Sequence, residues 1–420
     1  MKQKTQNTVL IFALSFPSLL ASVGTSMANL SLPAISHDFG TSFSNARWVV
    51  LSYLAASTLF SLFVGLMGDR SGRKQILGIG TLFFFSGSLI SGLAPSFWIL
   101  ALARMVQGMG AAALLVMPVA IATEILPPNK TGRVLGLIAT MSAVGTASGP
   151  SVGGAILTTF DWRAVFFLMA FLGLLNFFLL AKFIPRDETL KNDSTSSPNF
   201  LSTIKSVYAD FSLRTQLLAN LTVSSVMMST LIVGPFYLTH GLKLGSLKMG
   251  LVMSTGPTTA IISGIFSGYA VDRFGSRAVA RFGFIQLMVG TISFIQTPHW
   301  FGAIGFAVSA ILLSVGYQLF LSANSKNVMT TTPSENRGLV SGALTLSRNL
   351  GLIGGTFILG SVFDFVAKAS DLSIANLITI TNGLRVTFSF ATLLIFYALI
   401  SYSKTEKRRT NATRLTDQIY

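Results

Sequence analysis

The chain alternates long apolar stretches with short polar ones along almost its whole length. A helix rises 1.5 Å per residue, so crossing a bilayer core takes about 20 mostly apolar residues. Twelve stretches meet that requirement: residues 8–32, 46–67, 75–95, 97–123, 134–158, 162–184, 214–239, 247–270, 279–297, 300–326, 338–363 and 378–402. They predict an all-α integral membrane protein. The longest polar interruption, 185–213, is Ser-rich and charged and reads as a linker. It separates a six-helix bundle over 1–184 from a second over 214–402, and a short basic tail occupies 403–420. The first stretch follows Lys2 and Lys4 as a signal peptide would, but it is too long and lacks a small-residue cleavage site.

Composition points the same way. Hydrophobic residues make up 51% and charged residues 10%, with mean hydropathy +0.66, where soluble domains carry about 25% charged residues. The 34 Phe and 38 Gly suit lipid-facing surface and close helix contacts. The absence of Cys removes disulfides, thiolate metal sites and cysteine nucleophiles together. A net charge of +16 would suit nucleic acid on a basic soluble face, but here the basic residues fall in short loops.

Twelve crossings place both ends on one side. Assigning that side to the cytoplasm gives it 21 of the 30 Lys and Arg, against five opposite and four (Arg104, Lys326, Arg348, Arg385) inside helices. The positive-inside rule then predicts a multi-pass protein of the cytoplasmic membrane with both termini cytoplasmic.

The two halves echo each other. GLMGDRSGRK (65–74) and GYAVDRFGSR (268–277) share Gly-x-x-x-Asp-Arg-x-Gly, with Asp69 and Asp272 separated by 203 residues. PPNKTGR (127–133) resembles TPSENRG (332–338), and DWRAVFF (161–167) resembles GLRVTFS (383–389). Each half reads as one repeat. Duplicated bundles place a substrate near the midplane at the repeat interface and transport by rocking one half against the other.

GLMGDRSGRK resembles the signature loop of the major facilitator superfamily, with Gly65, Asp69, Arg70, Gly72, Arg73 and Lys74 in the motif positions. LARMVQGMGAAA (102–113) resembles the family's helix 4 motif through Arg104, Gln107, Gly108 and Gly110. GTASGPSVGG (145–154) resembles the helix 5 motif of drug and proton antiporters through Gly149, Pro150, Gly153 and Gly154. NLSLPAI (29–35) and DWRAVFF also look like the drug-efflux branches. The resemblance implies twelve helices in two pseudo-symmetric bundles, and it links Arg104 to proton coupling.

The signature loop has two readings. Gly65 and Gly72 permit close packing and a tight turn, while Asp69 accepts bonds from arginines or a helix N-terminus, so the cluster would latch one face shut, with Glu124 and Arg133 near enough to join. Its second copy supplies Asp272 and Arg273. Alternatively Arg70, Arg73 and Lys74 serve topology alone. In helix 5, Gly145, Gly149 and Gly153 recur every four residues as a small-residue ridge, with a bend at Pro150 and Gly154. That ridge serves either gating or static packing.

Arg104 sits about seven residues into its helix, where an unpaired charge costs on the order of 3 kcal/mol. It is expected to face a cavity with Gln107 on the same face, or else to snorkel. Drug-efflux relatives often carry an acidic residue in helix 1 where this chain has Gly24, and none of its 14 acidic residues falls near a helix midplane. Arg104, Arg348 and Arg385 together then imply a positively biased cavity that suits an anionic or zwitterionic ligand. The competing reading gives each arginine a local carbonyl partner. Depth nominates Asn29, Met117, Tyr237, Met253, Tyr317, Gln318 and Asn324 as substrate contacts.

These features favour a secondary exporter of a small amphipathic or anionic compound (drug, siderophore or metabolite), working by proton antiport as a monomer. Import of an organic anion and a non-transporting receptor or scaffold are the alternatives. No enzymatic chemistry, metal or cofactor is expected, and GxxxxGK[ST], the loop that would bind ATP, is missing from the sequence.

Overall fold

The computed structural model describes residues 2–125, 128–184, 211–332, 337–367 and 377–417, and their side chains apart from 2–9, 62, 66, 69, 70, 128–133, 337–339 and 406–417. The described residues are almost wholly helical: α1 Lys2–Asp38, a short α2 Phe43–Ala46, α3 Trp48–Ser71, α4 Arg73–Gly92, α5 Phe97–Ile125, α6 Pro128–Thr159 and α7 Arg163–Phe183. The second half supplies α8 Phe211–Phe236, continued by a π turn Tyr237–Gly241, then α9 Ser246–Phe274, α10 Ser276–Thr331 and α11 Arg337–Gly354. A second π turn, Gly355–Leu359, leads into α12 Gly360–Ala367, and α13 Leu377–Asp417 follows. Among the described residues, nine runs are long and apolar enough to cross a membrane. The run α6 falls short because Gly, Ser and Thr dilute its hydropathy.

The predicted ninth and tenth segments share the 56-residue α10, which is broken at Gly302 (φ 55°, ψ −126°). The two arms fold back antiparallel. Thr297 Oγ1 donates to the Gly305 carbonyl at 3.0 Å, Ser293 and Thr297 hydroxyls lie 2.9 and 2.7 Å from that of Ser309, and Gly290 abuts Leu313. Each of the twelve apolar segments therefore has a helical arm of its own.

By contact the chain forms two compact units. One holds Met1–Lys191, Leu231–Ile261 and Ala367–Ile380; the other holds Asn192–Thr230, Ile262–Val366 and Thr381–Tyr420. Segments of the second sequence half thus belong in space with the first.

The sequence repeat reappears as geometry. A Cβ placed on Gly87 would lie 2.4 Å from the Gln107 amide nitrogen, and one on Gly290, 203 residues later, would lie 2.7 Å from that of Leu313. A Cβ on Gly110 would lie 2.3 Å from the Phe84 amide nitrogen, as one on Gly316 would lie 2.6 Å from that of Leu287. A Cβ on Gly145 would lie 2.5 Å from the Leu19 carbonyl oxygen, and one on Gly351 would lie 2.3 Å from that of Leu221. In each pair backbone touches backbone, and only glycine permits that approach.

Gly302→Ala is expected to lower the thermal unfolding midpoint of purified protein, by the ~1–3 kcal/mol that a strained backbone position costs. Gly342→Ala, whose Cβ meets open space, should not lower it. A Gly302→Ala protein as stable as its parent would show that the fold-back does not require glycine.

Candidate functional site

A polar network within the apolar interior is built around Arg104 of α5. Its side chain is fully buried. Nε donates to the Val49 carbonyl of α3 at 2.9 Å, and Nη1 donates to Oε1 of Gln107. Gln107 Nε2 in turn donates to Ser88 Oγ of α4 at 2.7 Å and lies 3.4 Å from the Met169 sulfur of α7. The guanidinium carbon sits 4.2 Å over the Tyr53 ring and 5.8 Å over that of Phe166. Tyr53 closes the set, its hydroxyl donating to the Ala21 carbonyl of α1 at 2.7 Å. Arginine donates through a fixed fork and attracts aromatic faces, so one side chain ties five helices. Among the described residues no carboxylate pairs with it.

Two expectations change here. Arg104 neither snorkels nor faces a cavity, because the rings of Tyr53 and Phe166 enclose it. Arg385 of α13, half-buried, donates from Nε to the Ile295 carbonyl at 3.1 Å, and Arg348 of α11 is exposed. The carbonyl-partner reading thus holds for Arg104 and Arg385. The pairing of Arg104 with Gln107 three residues on is as expected.

The signature loop turns at Gly72, whose φ of 93° and ψ of 131° let it end α3 and begin α4; Gly275 repeats the turn at 82° and 149°. Left-handed φ of this kind favours glycine. Arg73 Nη1 donates to the Ala120 carbonyl at 3.0 Å and pairs with Glu124 at 3.3 Å, and Lys74 Nζ donates to the Ile184 carbonyl. Cations meet the carbonyl ends of α5 and α7, where helix dipoles favour them. These two basic residues therefore do more than set topology. The side chains of Asp69, Arg70 and Arg133 lie outside the described residues. Gly65 does not mediate close packing within the described structure, since a Cβ there would meet open space. The stretch's other glycine, Gly68, is the one in close contact, where a Cβ would lie 2.8 Å from the Met117 sulfur.

In the second copy the polarity is reversed. Asp272 of the loop pairs with Lys326 of α10 at 2.5 Å, both exposed, while Arg273 lies over the Phe274 ring. At another corner of the first unit, Asp38 at the end of α1 accepts from Trp162 Nε1 at 3.0 Å and from Arg163 at 2.9 Å, and Arg163 also reaches Asp161 at 2.6 Å. DWRAVFF thereby fastens α7 to α1.

The helix 5 motif lies on α6 and contacts two neighbours. Gly145, Gly149 and Gly153 lie against Leu19, Ser26 and Leu30 of α1, and Ser26 Oγ donates to the Gly145 carbonyl at 3.2 Å. On another flank a Cβ on Gly154 would lie 2.6 Å from the Ser246 carbonyl oxygen, one on Gly250 would lie 2.3 Å from that of Pro150, and Ser151 and Ser254 share a 2.6 Å hydrogen bond. That second flank packs on α9.

Of the residues nominated by depth, Met117, Tyr237, Met253, Asn29 and Asn324 are buried, and only Tyr317 and Gln318 are partly accessible. Met117 fills the space beside Gly68, and Asn324 Nδ2 donates to the Gln216 carbonyl at 3.4 Å. Asn29 keeps both amide atoms without a hydrogen-bond partner among the described residues. Depth does not report which face of a helix meets its neighbours. Sequence reasoning missed Tyr53, Ser88 and Phe166, whose partners are far away in the chain; it had also left Lys326 unassigned.

Arg104→Lys is expected to reduce both thermal stability and transport, because a lysine keeps the charge yet loses the fork and the ring contact. The stability loss should be about 2 kcal/mol, the worth of one hydrogen bond to a charged group, read as the shift in thermal or denaturant unfolding of purified protein. Unchanged stability with lost transport would remove the helix-tying role and leave a direct part in translocation.

Residues 14–356 match the sequence model described as Major Facilitator Superfamily. The riboflavin transporter RibZ of Clostridioides difficile is 23% identical, with 86% of this chain and 89% of that protein covered. The multidrug resistance protein Stp of Mycobacterium tuberculosis is 25% identical over 80% and 72%. A crystal structure of a bacterial homologue of the human lysosomal transporter Spinster, inward-facing and occupied, superposes with a TM-score of 0.81 at 15% identity, covering 96% of this chain and 97% of that one. With its all-helical fold, the paired turns at Gly72 and Gly275, and a family match spanning most of its length, this chain belongs to the Major Facilitator Superfamily and is a multi-pass membrane transporter.

Proposed function

We propose that the protein exports a small amphipathic or anionic compound across the cytoplasmic membrane by proton antiport and alternating access, as a monomer with both termini cytoplasmic. The observation that carries this reading is the packing of α6. Glycine on two flanks places its backbone directly against α1 and α9, with short serine hydroxyls bonded across them at Ser22–Ser142, Ser26–Gly145 and Ser151–Ser254. A helix so packed suits a gate, and its motif resembles that of drug and proton antiporters. Similarity to the multidrug resistance protein Stp supports export; similarity to RibZ supports a carried compound with a conjugated ring.

The signature loop supplies the latch in this reading. Arg73 and Glu124 hold the loop to α5, and this reading assigns Asp69, Arg70 and Arg133 to the same latch by their place in the motif. Arg104 serves coupling indirectly, by fixing the positions of the helices that move together.

Everted vesicles test the direction and the driving force. Anionic, zwitterionic and cationic compounds are offered with and without an inside-acid gradient. Accumulation should require the gradient, favour the anionic or zwitterionic set and collapse with a protonophore; uptake confined to right-side-out vesicles would replace export with import. Asp69→Asn should impair transport more than it lowers folded yield, and Asp272→Asn should be milder because its ion pair with Lys326 is exposed and worth about 1 kcal/mol or less. Greater sensitivity at Asp272 would reverse the ranking of the two loops.

A further inference from the structure

Helix α11 carries three distinct faces. Val340, Leu344, Ser347 and Gly351, spaced four, three and four apart, form a buried stripe against α8: Asn220 Nδ2 donates to the Leu344 carbonyl at 2.9 Å, and Ser347 Oγ donates to the Leu217 carbonyl at 2.5 Å. Leu346 and Leu350 form an apolar face, with Leu350 45% exposed. Ser341, Thr345 and Arg348 repeat the spacing of the buried stripe one position on, and all three are exposed, with Asn349 half-buried beside them.

This polar face is unsuited to lipid. Arg348 lies eleven residues beyond Arg337, about 16 Å along the helix, and a charge at such depth needs a partner or water. Unlike Arg104, Arg163 and Arg385, it makes no hydrogen bond or ion pair with any described residue. The stretch 340–354 contains no acidic residue. A planar fork of donors, exposed and uncommitted on a hydroxyl- and amide-bearing face, matches a carboxylate or phosphate.

We propose that Arg348 anchors the oxyanion of the carried compound, a carboxylate or a phosphate, while Ser341, Thr345 and Asn349 line the watered approach to it. The proposal rests on the transporter reading and adds the chemical class of its cargo. Ser341 offers its hydroxyl to the second oxygen or to a bridging water, the Thr345 hydroxyl, which donates to the Ser341 carbonyl at 3.1 Å, can accept from that water, and the apolar remainder of the compound is left to other surfaces. The π turn Gly355–Leu359 begins two helical turns beyond Arg348, so the anchor stands next to a place where the hydrogen-bond ladder already departs from α geometry.

The native chain has no cysteine, so single-cysteine variants report without background. In purified protein in nanodiscs, Arg348→Cys and Thr345→Cys should react with the impermeant sulfonatoethyl methanethiosulfonate at least about tenfold faster than Leu350→Cys, because only a hydrated thiol ionises readily. In the same preparation, 1-naphthoate and 1-naphthyl phosphate should outbind neutral 1-naphthamide, and the tighter of the two anions identifies the preferred oxyanion. Arg348→Gln should weaken the anions by about tenfold or more and leave the amide unchanged. Treating Arg348→Cys with aminoethyl methanethiosulfonate, which restores a cation, should recover part of the anion affinity; methyl methanethiosulfonate should not. Anions bound no better than the amide, anion binding indifferent to Arg348→Gln, or an Arg348→Cys no more reactive than Leu350→Cys each overturns the proposal. Binding and labelling need no transport, so anion binding through Arg348 without export would sink the exporter reading and leave the anchor standing.

Discussion

A full positive charge, that of Arg104, is buried in the first unit with no counter-charge among the described residues, and much of the surrounding packing follows from keeping it there. Removing a guanidinium from water is costly, and Arg104 offsets part of that cost with neutral groups, a backbone carbonyl, an amide oxygen and two aromatic faces, while its Nη2 has no hydrogen-bond partner among the described residues. Each of these helps only at short range. The helices must therefore approach more closely than ordinary side chains allow, and around the arginine they do so at glycine. Gly87 lies against Gln107, Gly108 against Tyr53 and Gly110 against Phe84.

The second half shows what the same backbone does without that charge. At the positions matching Arg104, Gln107 and Ser88 stand Ala310, Leu313 and Thr291, yet the glycine contacts Gly290–Leu313 and Gly316–Leu287 persist. Close packing there is held by apolar side chains, among them Phe294 stacked on Phe388 and edge-on to Phe306, and by the Ser293, Thr297 and Ser309 hydroxyls. Duplication kept the backbone scaffold and let the halves diverge in what fills it. The reversed ion pairs tell the same story: a loop cation meets a helix anion at Arg73–Glu124, and a loop anion meets a helix cation at Asp272–Lys326.

How much of this the sequence disclosed depends on the range of the interaction. Helix positions follow from local hydropathy, and every apolar stretch became helix. The contact of Arg104 with Gln107 follows from helical spacing, and the turns at Gly72 and Gly275 from a repeated motif. Contacts between distant segments were opaque. Nothing near residue 104 announces Val49 or Tyr53, and depth alone could not tell that Met117 would press on Gly68 while Arg348 stayed exposed. The fold-back within α10 was half visible: Pro298 and Gly302 suggest a break between two apolar stretches, whereas the single φ of 55° that reverses the chain does not.

That reversal also governs how the protein is made. The arms on either side of Gly302 have almost no loop between them, so neither can settle in the bilayer while the other waits outside. They must leave the insertion machinery as a hairpin, already paired. The hydroxyls of Ser293, Thr297 and Ser309 then bond to one another and to the Gly305 carbonyl before lipid reaches them, and hydrocarbon never confronts a bare donor. During synthesis this stretch of the second unit behaves as one indivisible insertion step, with its partner chosen before the rest of the bundle exists.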